Sequence, residues 1–292
     1  MIEKIHLIIA REIDLKGSLT AAATALNITQ SAVTHTIKKL ESRLGTELFN
    51  KKGRQLHFTP AGKHLLKEAN RILPQLERTE EVLREFATGE YGTLKIGMEC
   101  HPCYQWLLKV VKPYLARYKN VDIDIRQQFK FGGMAALFNY EIDILVTPDP
   151  LLKPGIEFVP VFNYEQVLVV PNGHALTHKQ FVEPQDLVDQ VLYTYPVETE
   201  RLDIFSGFLL PAHCRPRRHK VIETTEMILE LVAAQRGVAT LPEWLVKEYM
   251  PKVPIQPLRL GLDGIQKQIH LGFREDNHNN DQARQFLEMA KL

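Results

Sequence analysis

The sequence predicts a multidomain α/β protein: a winged helix-turn-helix head, one long linker helix and a two-lobed α/β domain. Residues 18–50 hold two short helical patterns separated by a turn. Residues 60–86 keep an apolar spacing of four and three with charges between, and beyond residue 93 strand-like and helix-like runs alternate to the end. At 292 residues the chain exceeds one small core and has room for two or three domains. Its 45% hydrophobic and 24% charged content is that of an ordinary globular protein. The absence of a long uncharged apolar run excludes a membrane-spanning helix. The opening "MIEKIHLIIAREID" carries charges throughout, where a signal peptide would have an apolar core. With only Cys100, Cys103 and Cys214, no disulfide framework is expected, and a reducing cytoplasm is the expected compartment.

Net charge is +1, but it is unevenly distributed. Residues 1–60 carry nine Lys/Arg against five Asp/Glu, whereas residues 61–90 carry five against six and the remainder 22 against 24. The basic excess belongs to the first segment, which points to an anionic partner there.

Within that segment, "GSLTAAATALNITQSAVTHTIKKLESRLGTELF" is the most specific signal. Ser18 caps a short helix whose alanines admit a close neighbour. Asn27 and Ile28 form the turn, and Thr29 caps a second helix running to about Leu44. Ala32, Val33, Ile37, Leu40 and Leu44 form its buried stripe, leaving Gln30, Ser31, Thr34, His35 and Lys38 off it. Such a polar, mildly basic face near a helix N-terminus suits a major groove: amides and hydroxyls read base edges and lysines meet phosphates. "NKKGRQ" between "LF" and "LHF" reads as a hairpin wing, with Lys51, Lys52 and Arg54 directed at the DNA backbone. A helix pair alone also suits a solvated helical hairpin; the wing and the local charge favour DNA.

Thr59 and Pro60 open a long helix to about Phe86. Leu65, Ala69, Ile72, Leu76, Thr79, Leu83 and Phe86 give it a coiled-coil period, and the surrounding charges point to self-association. Pro74 should bend the helix without ending it, because the apolar period continues beyond it. "TGEYGT" reads as a linker.

The remainder alternates: "TLKIGM" (strand), "YQWLLKVVKPYLARY" (helix), "VDIDIRQQF" (strand), "MAALFNY" (helix), "IDILVTP" (strand), then "YEQVLVVP", "QVLYTYP", "HKVIET", "EMILELVAAQRG", "VATLP" and "KQIHLGF". The chain crosses between lobes near Pro160–Tyr164 and returns near Gln266–Ile269, so a ligand cleft between lobes is expected. The expected divisions are 1–58 for the head, 59–88 for the linker helix and 92–292 for the last domain. Lobe I would comprise 92–161 and 269–292, and lobe II 162–268. Candidate ligand residues sit at strand ends: Cys100, His101 and Cys103 in "ECHPC", where a helix begins; Phe129, closing "VDIDIRQQF"; Thr147 and Pro148 in "TPDP"; Tyr195, Pro196, Glu198 and Arg201 in "TYPVETERLD"; and Thr224 and Thr225 in "ETTEM".

The order of these elements, with "GSLTAAATALNITQSAVTHTIKKLESRLGTELF" and "RQLHFTPAG", resembles the LysR-type transcriptional regulators; Ala32 stands where many members carry proline. "MECHPCYQWL", "LVTPD", "LYTYPVETERLD" and "VAAQRGVATLPEWLV" are similar to the methionine-biosynthesis branch of that family, over nearly the whole chain. The resemblance implies a periplasmic-binding-protein-like effector domain, homocysteine as co-effector, and no enzymatic activity. It also implies dimers or tetramers formed through the linker helix and effector domains, binding to an inverted repeat in promoter DNA, and contact with RNA polymerase. Another small ligand, or thiol oxidation at Cys100 and Cys103, stands as the alternative input.

Other classes fit less well. A thioredoxin-like oxidoreductase would place C-x-x-C between strand and helix, but leaves the head unexplained. Cys100, His101 and Cys103 are too crowded to hold one zinc ion together and have no second cluster, so no metal is expected. A solute-binding protein would use the cleft without DNA, and the charged N-terminus argues against export.

Overall fold

The structure, a computed structural model, describes residues 1–52, 55–88, 92–99, 101–126, 132–275 and 280–291. The head is built from α1 (Lys4–Lys16), α2 (Leu19–Ala25), α3 (Gln30–Leu44), β1 (Phe49–Lys52), β2 (Gln55–Phe58) and the long α4 (Pro60–Thr88). Its helix ends follow local chemistry. Gly17 stops α1 in the left-handed region at φ 70°. Ser18 caps α2 by accepting the Ala21 N–H at 3.2 Å, and Thr29 caps α3 by accepting the Ala32 N–H at 3.2 Å. The turn between them passes through Asn27, also left-handed.

Two apolar clusters hold the head together. Ile9, Ile13, Ala22, Ala23, Val33 and Ile37 join α1, α2 and α3, and the two alanines supply the expected close approach. Leu7, Ala10, Leu40, Leu48, Leu65, Ala69 and Leu73 join α1 and α3 to α4. The inward stripe of α3 is shorter than the spacing predicts. Ala32 and Leu44 are exposed, because they lie in the first and last turns and overhang the α1–α2 contact. The linker helix also departs from its expected role: Leu65 and Ala69, two of its coiled-coil positions, are buried in the head together with Leu73. Arg11 and Lys4 on α1 extend that contact with ion pairs to Glu77 at 2.8 Å and Glu80 at 2.5 Å. Leu76 and Leu83, farther along the helix, stay exposed. The helix runs through Pro74 without ending.

The wing is an antiparallel hairpin with Phe49 opposite Phe58 and Lys52 opposite Gln55. The phenylalanine rings pack at a 45° tilt with centroids 4.7 Å apart. Gly62, in the first turn of α4, lies against the chain leading into this hairpin, and a Cβ there would sit 1.9 Å from the Leu48 carbonyl oxygen.

The remaining elements are β3 (Thr93–Met98), α5 (His101–Arg117), β4 (Asp122–Arg126), α6 (Gly133–Phe138), β5 (Ile144–Thr147), β6 (Ile156–Pro171), β7 (Val191–Thr194), β8 (Arg218–Val221), α7 (Thr225–Ala233), β9 (Val238–Pro242), α8 (Glu243–Tyr249), β10 (Ile255–Arg259), β11 (Ile265–Arg274) and α9 (Asp281–Ala290). One sheet runs β4-β3-β5-β11-β6-β9-β7-β8, with β10 added to β6. β4, β3 and β5 are parallel at one end, and β9, β7 and β8 are parallel at the other. β6 and β11 are antiparallel between them, and form the two crossings that make this a two-lobed domain.

The first lobe packs Leu94, Ile96, Trp106, Leu107, Tyr114, Val146, Leu271 and Phe286 into one core. The second lobe is buried on both faces of its sheet. Val167 and Val169 of β6 face one cluster, and Leu168 and Val170 face the other. This is why "VLVV" reads as an unbroken apolar run. An aromatic group straddles the crossing: Trp106 of α5 lies 6.5 Å from Phe162 of β6, which lies 5.9 Å from Trp244 of α8. Lys109 of α5 sits over the Trp244 ring and pairs with Glu248.

Replacing Gly62 by alanine should cost the head more than about 2 kcal/mol, since backbone must move to admit the methyl group. Urea unfolding followed by circular dichroism checks this, and an unchanged midpoint would remove the close approach as a constraint.

Candidate nucleic-acid interface and effector cleft

On α3 the buried Val33, Ile37 and Leu40 fix which side faces outward. Gln30, Ser31, His35 and Lys38 are exposed there, with Thr34 half-buried beside them. The Thr34 hydroxyl donates to the Gln30 carbonyl at 2.9 Å, and Ser31 Oγ lies 2.9 Å from Thr29 Oγ1. Both hydroxyls are thus tied to the helix start and offer their remaining lone pairs outward. No hydrogen bond to the Gln30 side chain or the His35 ring exists among the described residues, so both groups are free to meet base edges. Ser18 is exposed; its oxygen accepts the capping N–H, which leaves its own proton for a phosphate. Arg54 and the side chains of Lys51 and Lys52 lie outside the described residues.

The second candidate site lies where the two lobes meet. β3 and β5 run parallel, with Met98 beside Val146, so Glu99 and Thr147 leave adjacent carboxyl ends together. Thr147 Oγ1 donates to Glu99 Oε2 at 3.1 Å and accepts the Asp149 N–H at 3.2 Å. The Gly133 N–H donates to Glu99 Oε1 at 3.1 Å. A side chain at Gly133 would lie 2.3 Å from Leu145 Cδ1, so glycine is what lets this amide reach the carboxylate. Burial pushes the Glu99 carboxyl above its ordinary value, against the opposing pull of the Thr147 and Gly133 bonds and the Arg201 charge.

Beside it, Lys267 of β11 spans the lobes. Its Nζ lies 2.7 Å from Asp149 Oδ1, at the end of β5, and 3.2 Å from Asp203, in the second lobe. Burial pulls this ammonium down, but the two carboxylates outweigh it and hold it above the ordinary lysine value. Tyr164, opposite Lys267 in the ladder, is raised by burial and then by Asp203 and Asp149. His270, opposite Thr147, is lowered by burial, against the opposing pull of the Gln268 backbone.

The candidates named from sequence are dispersed. Thr147 is fully in this site, and Arg201, half-buried, reaches it by its charge. Pro148 is half-buried next to Thr147. Tyr195 and Thr225 are buried in the second lobe, where Tyr195 Oη and Thr225 Oγ1 lie 2.6 Å apart. Their hydroxyls hydrogen-bond each other there. Thr224, at the start of α7, is exposed with its hydroxyl unused as a cap; Pro196 is half-buried and Glu198 exposed. Cys103 is buried in the first-lobe core and disulfide-bonded, against the expectation of reduced cysteines, and Cys214 is free. Cys100, Phe129 and the side chain of His101 lie outside the described residues. Among the described residues no group of three or more His, Cys, Asp or Glu is arranged to hold a metal, and no helix is long and apolar enough to cross a membrane.

Sequence reasoning passed over Glu99, Asp149, Asp203, Tyr164, Lys267 and His270. Glu99 and Asp149 stood inside strings already singled out, "ECHPC" and "TPDP". Lys267 had a signal too: a lysine inside a strand expected to cross between lobes requires acids near it.

Residues 87–291 match the LysR substrate binding domain, and residues 6–63 match the bacterial regulatory helix-turn-helix protein of the lysR family. The MetR transcriptional regulator of Escherichia coli K12 is 34% identical over 291 residues, covering 100% of this chain and 90% of that protein. The solved regulatory domain of MetR from N. meningitidis is 29% identical with a TM-score of 0.62, and covers 68% of this chain and 92% of that one. A variant of that domain with two cysteines three positions apart changed to serine has also been solved. Full-length CbnR bound to its target DNA shares the fold with a TM-score of 0.66 at 22% identity, over 99% of both chains. The chain belongs to the LysR family: it is a DNA-binding transcriptional regulator and not an enzyme.

Gln30→Ala should weaken specific promoter binding by about 1–3 kcal/mol and relax base preference. Lys38→Ala should lower affinity for all sequences and reduce the salt slope by about 1. Fluorescence anisotropy across a salt series separates the two; equal effects on specific and random DNA would remove Gln30 from base reading.

Proposed function

We propose that this regulator controls methionine-biosynthesis genes in response to homocysteine. The likeness to MetR regulators across the whole chain carries the reading. Two heads bind an inverted repeat, with Gln30, Ser31, Thr34 and His35 toward bases and Ser18, Lys38, Lys51, Lys52 and Arg54 toward phosphates. Homocysteine occupies the interlobe cleft, and its preference for one lobe angle shifts head spacing and contact with RNA polymerase. Arg201→Ala should blunt the response to homocysteine in a promoter shift assay while basal affinity is kept. A full response in the variant would take Arg201 out of the cleft.

Two surfaces support assembly of copies. The distal half of α4 exposes Leu76 and Leu83. The outer edges of the effector sheet are of opposite charge at matching two-residue spacing. β4 carries Asp122 and Asp124, the latter also held by Arg126, and β8 carries Arg218 and Lys220. Behind β8 lies a basic hollow of about 630 Å³, lined in part by Arg217, Arg218, Lys220 and Arg236. Pairing β4 of one copy with β8 of another, twice about a two-fold axis, matches acid with base at both contacts. Lys220→Glu should therefore shift the purified protein toward smaller species in light scattering, and adding Asp122→Lys should restore the larger one. No shift in the single variant would discard this pairing.

The Cys103 disulfide favours a second reading, in which Cys100 is its partner and oxidation is the input. The first reading requires a promoter shift that follows homocysteine under reducing conditions. A shift that ignores homocysteine and follows diamide would replace it with the second.

A further inference from the structure

Three acids and two bases meet in the cleft: Glu99, Asp149 and Asp203 against Lys267 and Arg201. Lys267 is committed to Asp149 and Asp203 through its single ammonium group. Glu99 forms no ion pair among the described residues, although both its oxygens are anchored, one by the Gly133 amide and one by Thr147. An ionised carboxylate offers about four acceptor positions, so two remain. A half-buried carboxylate held at a strand end, with the Arg201 charge acting on it but no ion pair to it among the described residues, is complementary to a ligand that brings a cation into contact.

We propose that Glu99, with Asp149 beside it, receives the ammonium group of the effector, so that the cleft selects an α-amino acid over the corresponding simple acid. This rests on the interlobe cleft being the effector site and assigns the residue that takes the effector's amino group. A plain carboxylic acid would add a fourth negative charge, whereas an amino acid neutralises Glu99 at one end and presents its own carboxylate to Arg201 at the other. Burial raises the Glu99 carboxyl in the free protein, and an incoming ammonium opposes that rise, so binding weakens as pH falls through the raised value.

The full-length protein, kept reduced, is titrated calorimetrically with L-homocysteine, its des-amino analogue 4-sulfanylbutanoate, and a panel of the common L-amino acids. The proposal expects at least a 30-fold loss for the des-amino compound on the unaltered protein. Glu99→Gln, which keeps the shape and, through its amide oxygen, the bond from the Gly133 N–H while its NH2 donates to Thr147 Oγ1, should lose at least tenfold in amino-acid affinity and lose the acid-side pH dependence. Equal binding of the des-amino analogue, unchanged affinity in Glu99→Gln, or binding of no amine-bearing compound each overturns it. A panel in which another amino acid binds and homocysteine does not would sink the homocysteine reading while upholding the ammonium site. The analogue comparison needs no variant, so it stands even if Glu99→Gln folds poorly.

Discussion

A single antiparallel pairing, β6 against β11, carries both lobes of the effector domain. It runs from Ile265 opposite Gln166 to Arg274 opposite Ile156, with an irregularity between Ile269 and His270. Because backbone hydrogen bonds across such a ladder are satisfied only in register, the strands cannot slip without exposing one core or the other. At its far end Arg274 meets Asp143 at 3.2 Å, both almost fully buried, and Asp143 also accepts the Lys95 N–H. The ladder thus anchors the start of β3 and β5 at one end. Toward the middle it brings Tyr164, Lys267 and His270 to the carboxyl ends of the same strands. The cleft inherits its geometry from this pairing, which is why residues distant in sequence, such as Glu99 and Lys267, reach one site.

Much of this architecture is legible in the residues. Capping residues at Ser18, Thr29 and Thr59 mark real helix starts; "TLKIGM" is a strand that begins with alternating half-buried and buried residues, and "ILVT" and "VATLP" are strands buried on both sides. The linker helix shows where periodicity runs out. A four-and-three spacing tells which side of a helix is apolar, but not whether Leu65 and Ala69 meet a second copy or the helix's own head. Here α1 claims them, and the charges at Lys4 and Arg11 continue that contact beyond the apolar cluster.

The cleft is less legible for a related reason. Strand ends point to the right loops, yet which polar side chain faces the ligand depends on pleat and on neighbours. Tyr195 and Thr225, conspicuous in sequence, bond to each other inside the second lobe, while the plain glutamate before "CHPC" faces the site. Lys267 stands out in sequence as a lysine inside a crossing strand, but its two acids, 118 and 64 positions away, cannot be named from there. The disulfide at Cys103 departs from the reduced state expected of a cysteine-poor chain, while oxidation at Cys100 and Cys103 is the alternative the C-x-x-C spacing keeps open.

The aromatic group across the crossing has a practical side. The chain has two tryptophans, and both belong to it: Trp106 on the first lobe and Trp244 on the second, with Phe162 between. Trp244 has its indole N–H buried without a partner and Lys109 over its ring, so a small relative rotation of the lobes alters its polarity and its nearby charge together. The protein therefore carries an intrinsic optical gauge of its own conformation, readable by emission wavelength without any attached dye.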